Sequence, residues 1–127
     1  MSLTNTFETT VLTWLLTANS ATRPTSWYIG LFTAIPNESG GGTEVVGAGA
    51  YVRKSATFTV TGNTASNSAA IEWPVAAGSW GTITSIAIFD AVTSGNMIGY
   101  AALTSAKTIE TGDVFRIPLG DLDVTLD

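Results

Sequence analysis

Apolar residues recur at helical spacing near the start of the chain. The spacing predicts an amphipathic helix at 5–19, built on Phe7, Val11, Leu12, Trp14, Leu15 and Leu16. Asn5, followed by Glu8 three residues later, predicts a capping box at the first turn. The other face is rich in threonine, a mediocre helix former, and it includes Thr9 and Thr13. We therefore expect this helix to depend on packing against another surface.

Beyond residue 26 the pattern changes to alternating or short apolar runs, which are typical of β-strands. Strands are predicted at 26–33, 51–60, 69–73, 82–89, 97–103, 107–110, 114–117 and 121–127. The fourth and fifth of these are expected to form a hairpin in the middle of a sheet, and the sixth and seventh a second hairpin. One helix followed by short strands with frequent turns predicts a mainly β fold: an antiparallel β-sandwich or barrel with one N-terminal α-helix. We expect a single domain, 1–127, whose β part spans 26–127.

A glycine-rich segment at 34–50 separates the first predicted strand from the second. It does not match a phosphate-binding loop, because it lacks the Gly-Lys-Ser/Thr ending and no helix pattern follows it. A surface loop that orders itself against a partner chain is the favoured interpretation. The residues predicted to contact that partner are Glu38, Gly40, Gly41, Gly42, Val45 and Val46.

Composition strengthens the expectation of a partner. Only 12% of the 127 residues are charged, while 45% are hydrophobic. Ordinary soluble domains contain about 25% charged residues, and a free monomer usually relies on them for solubility. A surface this poor in charge is expected to be covered by neighbouring subunits. The sequence therefore indicates an assembly subunit.

The residue types that are missing exclude several classes of function. The chain contains no cysteine and no histidine, which removes disulfides, thiolate metal sites and the usual general base. The net charge is −5 with five basic residues, so no basic stripe is available for nucleic acid. No apolar run is long enough to cross a membrane, and the first residues carry no export signal. We therefore expect a protein that is not an enzyme, binds no cofactor and is made in the cytoplasm.

Two acidic residues, Asp121 and Asp123, fall on one face of the last predicted strand, about 7 Å apart. Paired carboxylates can bind Ca²⁺ or act as a glycosidase pair. The alternative is a solvated edge whose charges prevent the strand from pairing with other chains. We favour the solvated edge, and Ca²⁺ remains a weaker alternative.

The four tryptophans divide into two pairs. Trp14 and Trp27 fall on apolar faces and are predicted to belong to the core. Trp73 and Trp80 flank a loop and are predicted to be exposed, where aromatic rings could contact a partner or stack on a glycan. These two residues are the candidates for a glycan-binding role.

Several segments together resemble a family of small phage and prophage proteins. The central segments are 79–84 (SWGTIT), 88–91 (IFDA) and 94–96 (SGN). Further similar segments are 2–5 (SLTN), 28–32 (YIGLF), 47–53 (GAGAYVR), 112–114 (GDV) and 122–127 (LDVTLD). Members of this family are commonly labelled tail-fibre proteins, and similar small sandwich-like proteins serve as capsid cement or decoration.

The resemblance implies a non-enzymatic structural protein of the phage particle. We expect a homotrimer whose other partner is the major capsid protein or a tail protein. A fibre needs length from heptads or repeats, and this chain has neither, so capsid decoration is the first interpretation. A tail fibre or baseplate appendage is the alternative, and a host-glycan-binding module is the third. The loop at 36–50 and the outer face of the helix are the expected contact surfaces.

Overall fold

The chain folds as one short strand, one helix and a series of β-strands. A computed structural model describes residues 1–45 and 49–126. Strand β1 is Ser2–Leu3 and helix α1 is Asn5–Leu16. The later strands, within the described residues, are β2 (Tyr28–Ala34), β3 (Thr43–Glu44), β4 (Lys54–Ser55), β5 (Phe58–Thr61), β6 (Thr64–Asn67), β7 (Ile71–Glu72), β8 (Gly81–Phe89), β9 (Met97–Ile109), β10 (Arg116–Ile117) and β11 (Asp123–Thr125).

The main sheet is antiparallel and has six strands. Its order is β1-β9-β8-β2-β3, and β4 also pairs with β2. The centre is formed by β2, β8 and β9, which are rich in the β-branched and aromatic residues that suit a pleated surface. The predicted central hairpin is therefore confirmed as the β8–β9 pair, in which Ala87 lies opposite Tyr100.

A second layer covers one face of this sheet. It contains the three-stranded sheet β11-β6-β5 and the two-stranded sheet β10-β7. The β5–β6 hairpin turns at 62–63. Together the layers form the mainly β, sandwich-like architecture with one N-terminal helix that the sequence predicts.

The core lies between the two layers. On β2, Ile29 and Leu31 point into it and are fully buried, and on β8 Ile83 does the same. Full burial of such a side chain contributes about 1.5–3 kcal/mol. Aromatic residues of the second layer and its loops complete the cluster, including Trp73, Trp80 and Phe115.

The opposite face of the main sheet carries a smaller apolar cluster. Phe32, Ala87 and Phe89 form it, and the Phe32 and Phe89 rings stack with centroids 6.1 Å apart. Alternation along each strand sends these residues to the face opposite Ile29 and Leu31. The base of α1 and the glycine-rich turn lie beside this cluster.

The helix begins at the predicted residue but is shorter than predicted at its C-terminal end. Thr4, not Asn5, is the N-cap, and its side chain makes no capping bond, so the predicted capping box is wrong. The helix ends at Leu16 instead of 19. The Thr17 hydroxyl donates to the Thr13 carbonyl oxygen (2.6 Å) and accepts from the Asn19 amide, and such local bonds compete with helix continuation.

The second predicted hairpin is wrong. Residues 107–109 continue strand β9, and β10 pairs with β7, placing Ile117 opposite Ile71. A turn is present at 111–112, but it carries the chain to the other layer. The predicted strand at 51–60 is also divided, because β4 joins the main sheet and β5 joins the second layer. Strands β3 and β6 were not predicted, since neither has a clear apolar alternation.

Candidate assembly site

Helix α1 leaves most of its apolar residues uncovered. Phe7 is its one buried residue, whereas Leu12 is 56% exposed, Trp14 67%, Leu15 61% and Leu16 72%. Across the described chain, α1 has no extensive packing against any strand. The prediction that Trp14 belongs to the core is therefore wrong. The helix projects from the body of the protein with its apolar end in solvent.

The base of this helix is firmly held. Thr4 is 3% exposed, and its hydroxyl donates to the Met97 carbonyl oxygen at 2.6 Å. Its amide donates to the Ile98 carbonyl oxygen at 2.9 Å, and the Asn5 amide donates to that of Glu38 at 3.0 Å. Thr4 therefore ties the start of α1 to β9, which explains why its hydroxyl is unavailable as a cap.

The glycine-rich turn packs beside the helix base. Asn37 and Gly40 form a reciprocal backbone pair with hydrogen bonds of 2.7 and 2.9 Å. Gly42 has φ +75°, and a Cβ there would lie 2.7 Å from the Ala34 carbonyl oxygen, so this position requires glycine. The turn is thus a defined structure in the part of the chain described.

Several residues predicted to contact a partner come together around one cleft. The cleft has a volume of about 380 Å³ and is lined by Glu38, Gly40, Gly41 and Gly42, together with Thr4 and Thr6 at the start of α1. Further along the helix, Thr9 is exposed and Thr13 is half-buried. Val45 does not belong to this surface, because it is 5% exposed in the core. Val46 lies outside the described residues.

The floor of the cleft is an ion pair between Glu44 and Arg53. The Arg53 guanidinium donates to both carboxylate oxygens, at 2.7 and 2.9 Å, and lies 3.4 Å from the centroid of the Phe89 ring. Its remaining nitrogen donates to the carbonyl oxygens of Ala91 and Ser94. Gly30 makes room for the pair, since a Cβ there would lie 2.9 Å from Glu44 Oε2.

Tyr51 extends this network into the core. Its hydroxyl donates to Glu44 at 2.7 Å and accepts from the Leu31 amide at 3.0 Å. Burial, reinforced by the neighbouring Glu44 carboxylate, raises the pKa of the Tyr51 phenol far above its ordinary range. The polar groups of the network are thus engaged with one another, which favours a role in holding β2, β3 and the 90–96 turn together.

Trp73 and Trp80 are not on the surface. They are 1% and 3% exposed, so the prediction that they are exposed is wrong. Trp73 packs edge-on against Phe115 at 5.3 Å, and Trp80 packs edge-on against Tyr51 at 5.4 Å. Rings in this position cannot stack on a glycan.

The two acidic candidates lie at the edge of the second layer. Asp121 and Asp123 are exposed, and Asp123 accepts a hydrogen bond from the Ser66 hydroxyl on the neighbouring strand. Within residues 1–45 and 49–126, no three acidic side chains converge on a position that could hold a metal ion. In the same ranges, no helix is long and apolar enough to cross a membrane.

A groove between the two layers was not predicted from the sequence. It has a volume of about 340 Å³ and is lined almost entirely by apolar side chains, including Trp27, Phe58, Val60, Ile98 and Val124. Val60 is 70% exposed, although it lies on the inner face of β5. The spacing of the layers leaves this end of the core open.

The comparison with known families covers nearly the whole chain. Residues 2–125 match the model of one family, whose description is Podophage GP4 fiber I protein gp80. No curated protein matches the chain. A match over nearly the whole length shows that the chain belongs to the Podophage GP4 fiber I protein gp80 family.

Proposed function

We propose that this chain is a structural subunit of a phage tail fibre and that it acts by associating with further copies of itself. The fibre description of its family supports this role. The family description favours the tail-fibre alternative over capsid decoration, which was the first interpretation of the sequence. The absence of heptads and repeats does not exclude a fibre, because compact subunits can supply length by stacking.

The main observation that supports self-association is that the apolar residues of helix α1 are uncovered. A helix of 12 residues is marginal in water even with a favourable sequence, and α1 contains four threonines. Its four most exposed apolar residues, Leu12 and 14–16, form a surface of the kind that marks protein interfaces. A partner that covers them would stabilise the helix and account for the low charge content of the chain.

The role requires no catalysis. The ion pair of Glu44 and Arg53 would stiffen the sheet beside the helix base, and the turn at 37–42 would flank the interface. We propose a homo-oligomer, with three copies as the expected number, attached to other tail proteins of the same particle.

The position on the particle can be tested on purified virions. Immunogold labelling with antibodies against the chain is expected to mark the tail, with pre-immune serum as the control. Quantitative mass spectrometry should find far fewer copies of this chain per virion than copies of the major capsid protein. Labelling of the head with a copy ratio near one would overturn the fibre proposal and return capsid decoration to first place.

Self-association can be tested on the purified chain. Sedimentation velocity over a wide concentration range is expected to show an oligomer that dissociates only on dilution. A chain that remains monomeric at high concentration, with its helix intact by circular dichroism, would contradict the proposal.

A further inference from the structure

The end of α1 exposes apolar side chains on more than one face. Residues 11–16 read VLTWLL, with Thr13 as the sole polar member, and no charged side chain follows Glu8 in the helix. Leu12, Leu15 and Leu16 share one face, whereas Trp14 points to another, because residues three or four apart are helical neighbours. Exposed apolar side chains clustered in this way mark a surface that contacts a partner. A partner that covers one side only would leave part of this tip exposed.

The groove between the layers offers a matching surface. None of its nine lining residues has a charged side chain, and the sheet on one side contributes Val60, Ala65 and Val124 while Trp27 and Ile98 lie opposite. Its volume of about 340 Å³ is at the small end of the 300–1,000 Å³ range of ligand pockets. It therefore accommodates one or two bulky side chains and not a whole turn of helix.

The helix cannot reach the groove of its own chain. Leu3 lies on the rim, and only Thr4 separates it from the start of α1. Thr4 and Asn5 are hydrogen-bonded to Met97, Ile98 and Glu38, which fixes the direction in which the helix leaves the body. At 1.5 Å per residue, Trp14 lies roughly 15 Å along the helix from Thr4. No residue of α1 in the described chain lines the groove.

We infer that the tip of α1 inserts into the groove of a neighbouring copy, with Trp14 as the side chain that fills it. The inference rests on the proposed self-association and names its two surfaces. Both are uncharged, so the contact buries no unpaired charge. Trp14 is 67% exposed, and a tryptophan side chain buries about 150–250 Å² when fully covered, a size typical of interface anchors.

The arrangement also implies a closed assembly with a fixed number of copies. Tip and groove are different surfaces, so the contact is head-to-tail, and such contacts form closed rings when the rotation allows. In a ring every Trp14 is covered and every groove is filled. Helices packed only against each other around an axis would leave each groove open.

Cross-linking tests the inference directly, because the chain contains no natural cysteine. One variant carries Thr17→Cys, at the residue that directly follows the helix and lies three positions beyond Trp14. The other carries Val60→Cys at the groove. The variants have tags of different size and are mixed, exchanged by dilution and reconcentration, and treated with a short bis-maleimide. The matched control replaces Val60→Cys with Thr59→Cys, one residue away on the opposite face of β5.

The expected result is a mixed product of Thr17→Cys with Val60→Cys and at least tenfold less product with Thr59→Cys. Equal yields with the two positions would overturn the inference. So would a product formed only between two copies of Thr17→Cys, since this shows helices packed against each other. The latter outcome would leave the proposed oligomer standing, whereas a monomer in sedimentation would remove the proposed self-association itself.

Discussion

Arg53 and Glu44 form a two-pronged ion pair in which the guanidinium nitrogens lie 2.7 and 2.9 Å from the two carboxylate oxygens. Their side chains are only 9% and 15% exposed. In the described chain this is the one ion pair within 4 Å. It joins strand β3 to the segment before β4, and through the Ala91 and Ser94 carbonyls it also holds the turn between β8 and β9.

Removing one partner of this pair should destabilise the fold strongly. Arg53→Ala leaves the Glu44 carboxylate buried with Tyr51 as its remaining donor, and the loss of one member of a buried pair costs about 3–5 kcal/mol. Urea unfolding followed by circular dichroism measures the change. Arg23→Ala, at an exposed arginine, is the control and should change stability by less than about 0.5 kcal/mol. Equal effects of the two variants would show that the pair contributes little.

Alkaline pH should weaken the fold through Tyr51. Burial raises the pKa of this phenol in the folded chain, whereas the unfolded chain ionises at its ordinary value of 10.0. Above pH 10 the unfolded state therefore loses a proton that the folded state keeps. The free energy of unfolding should fall by about 1.4 kcal/mol per pH unit, and this stability is fully present below pH 10.

The measurement is urea unfolding at several values between about pH 9.5 and 11.5. Tyr51→Phe removes the ionising group and should flatten this dependence, although it lowers stability at neutral pH by losing the bond to Glu44. Tyr100→Phe, at a half-buried tyrosine outside the network, should keep the slope. An unchanged slope in Tyr51→Phe would assign the alkaline loss to other groups.

The two buried tryptophans should respond differently to the same substitution. Trp80 Nε1 donates to the Gly49 carbonyl oxygen at 2.8 Å, while Trp73 Nε1 has no hydrogen-bond partner among the described residues. Phenylalanine removes the same volume at both positions. Trp80→Phe should therefore cost about 1 kcal/mol more than Trp73→Phe, the value of one hydrogen bond. Thermal or urea unfolding of both variants provides the comparison, and the reverse order would contradict it.

The tip of α1 should control association without controlling the fold. Leu16→Lys introduces a charge into the apolar end, and a lysine near a helix C-terminus interacts favourably with the helix dipole. Burial of a leucine contributes about 1.5–3 kcal/mol, so the dissociation constant measured by sedimentation should rise roughly 10- to 100-fold. The control variant Ala18→Lys adds the same charge two residues later and should change the dissociation constant little. Loss of helical circular dichroism in Leu16→Lys would mean that the variant had unfolded the helix instead.

Local patterns were sufficient to predict the helix and the central strands. The apolar spacing in 7–16 and the dense branched residues in 82–89 are properties of neighbours along the chain, and helix and strand geometry convert them directly into elements. Low charge predicted an assembly subunit, and the helix and glycine-rich turn were expected as its contact surfaces. In the structure the base of the helix and the glycine-rich turn lie beside one another, with Thr4 and Glu38 lining the same cleft.

The sequence by itself determined the class of fold, the position of its helix and the shortage of charge that favours partners. Only the tertiary structure decided which faces are covered. Trp73 and Trp80 flank a loop in sequence but lie in the core, and Trp14 has an apolar pattern but lies in solvent. Local periodicity says which side of an element is apolar. Whether that side is buried depends on contacts between residues far apart in the chain, such as β10 with β7, and those contacts carry no signal in neighbouring positions.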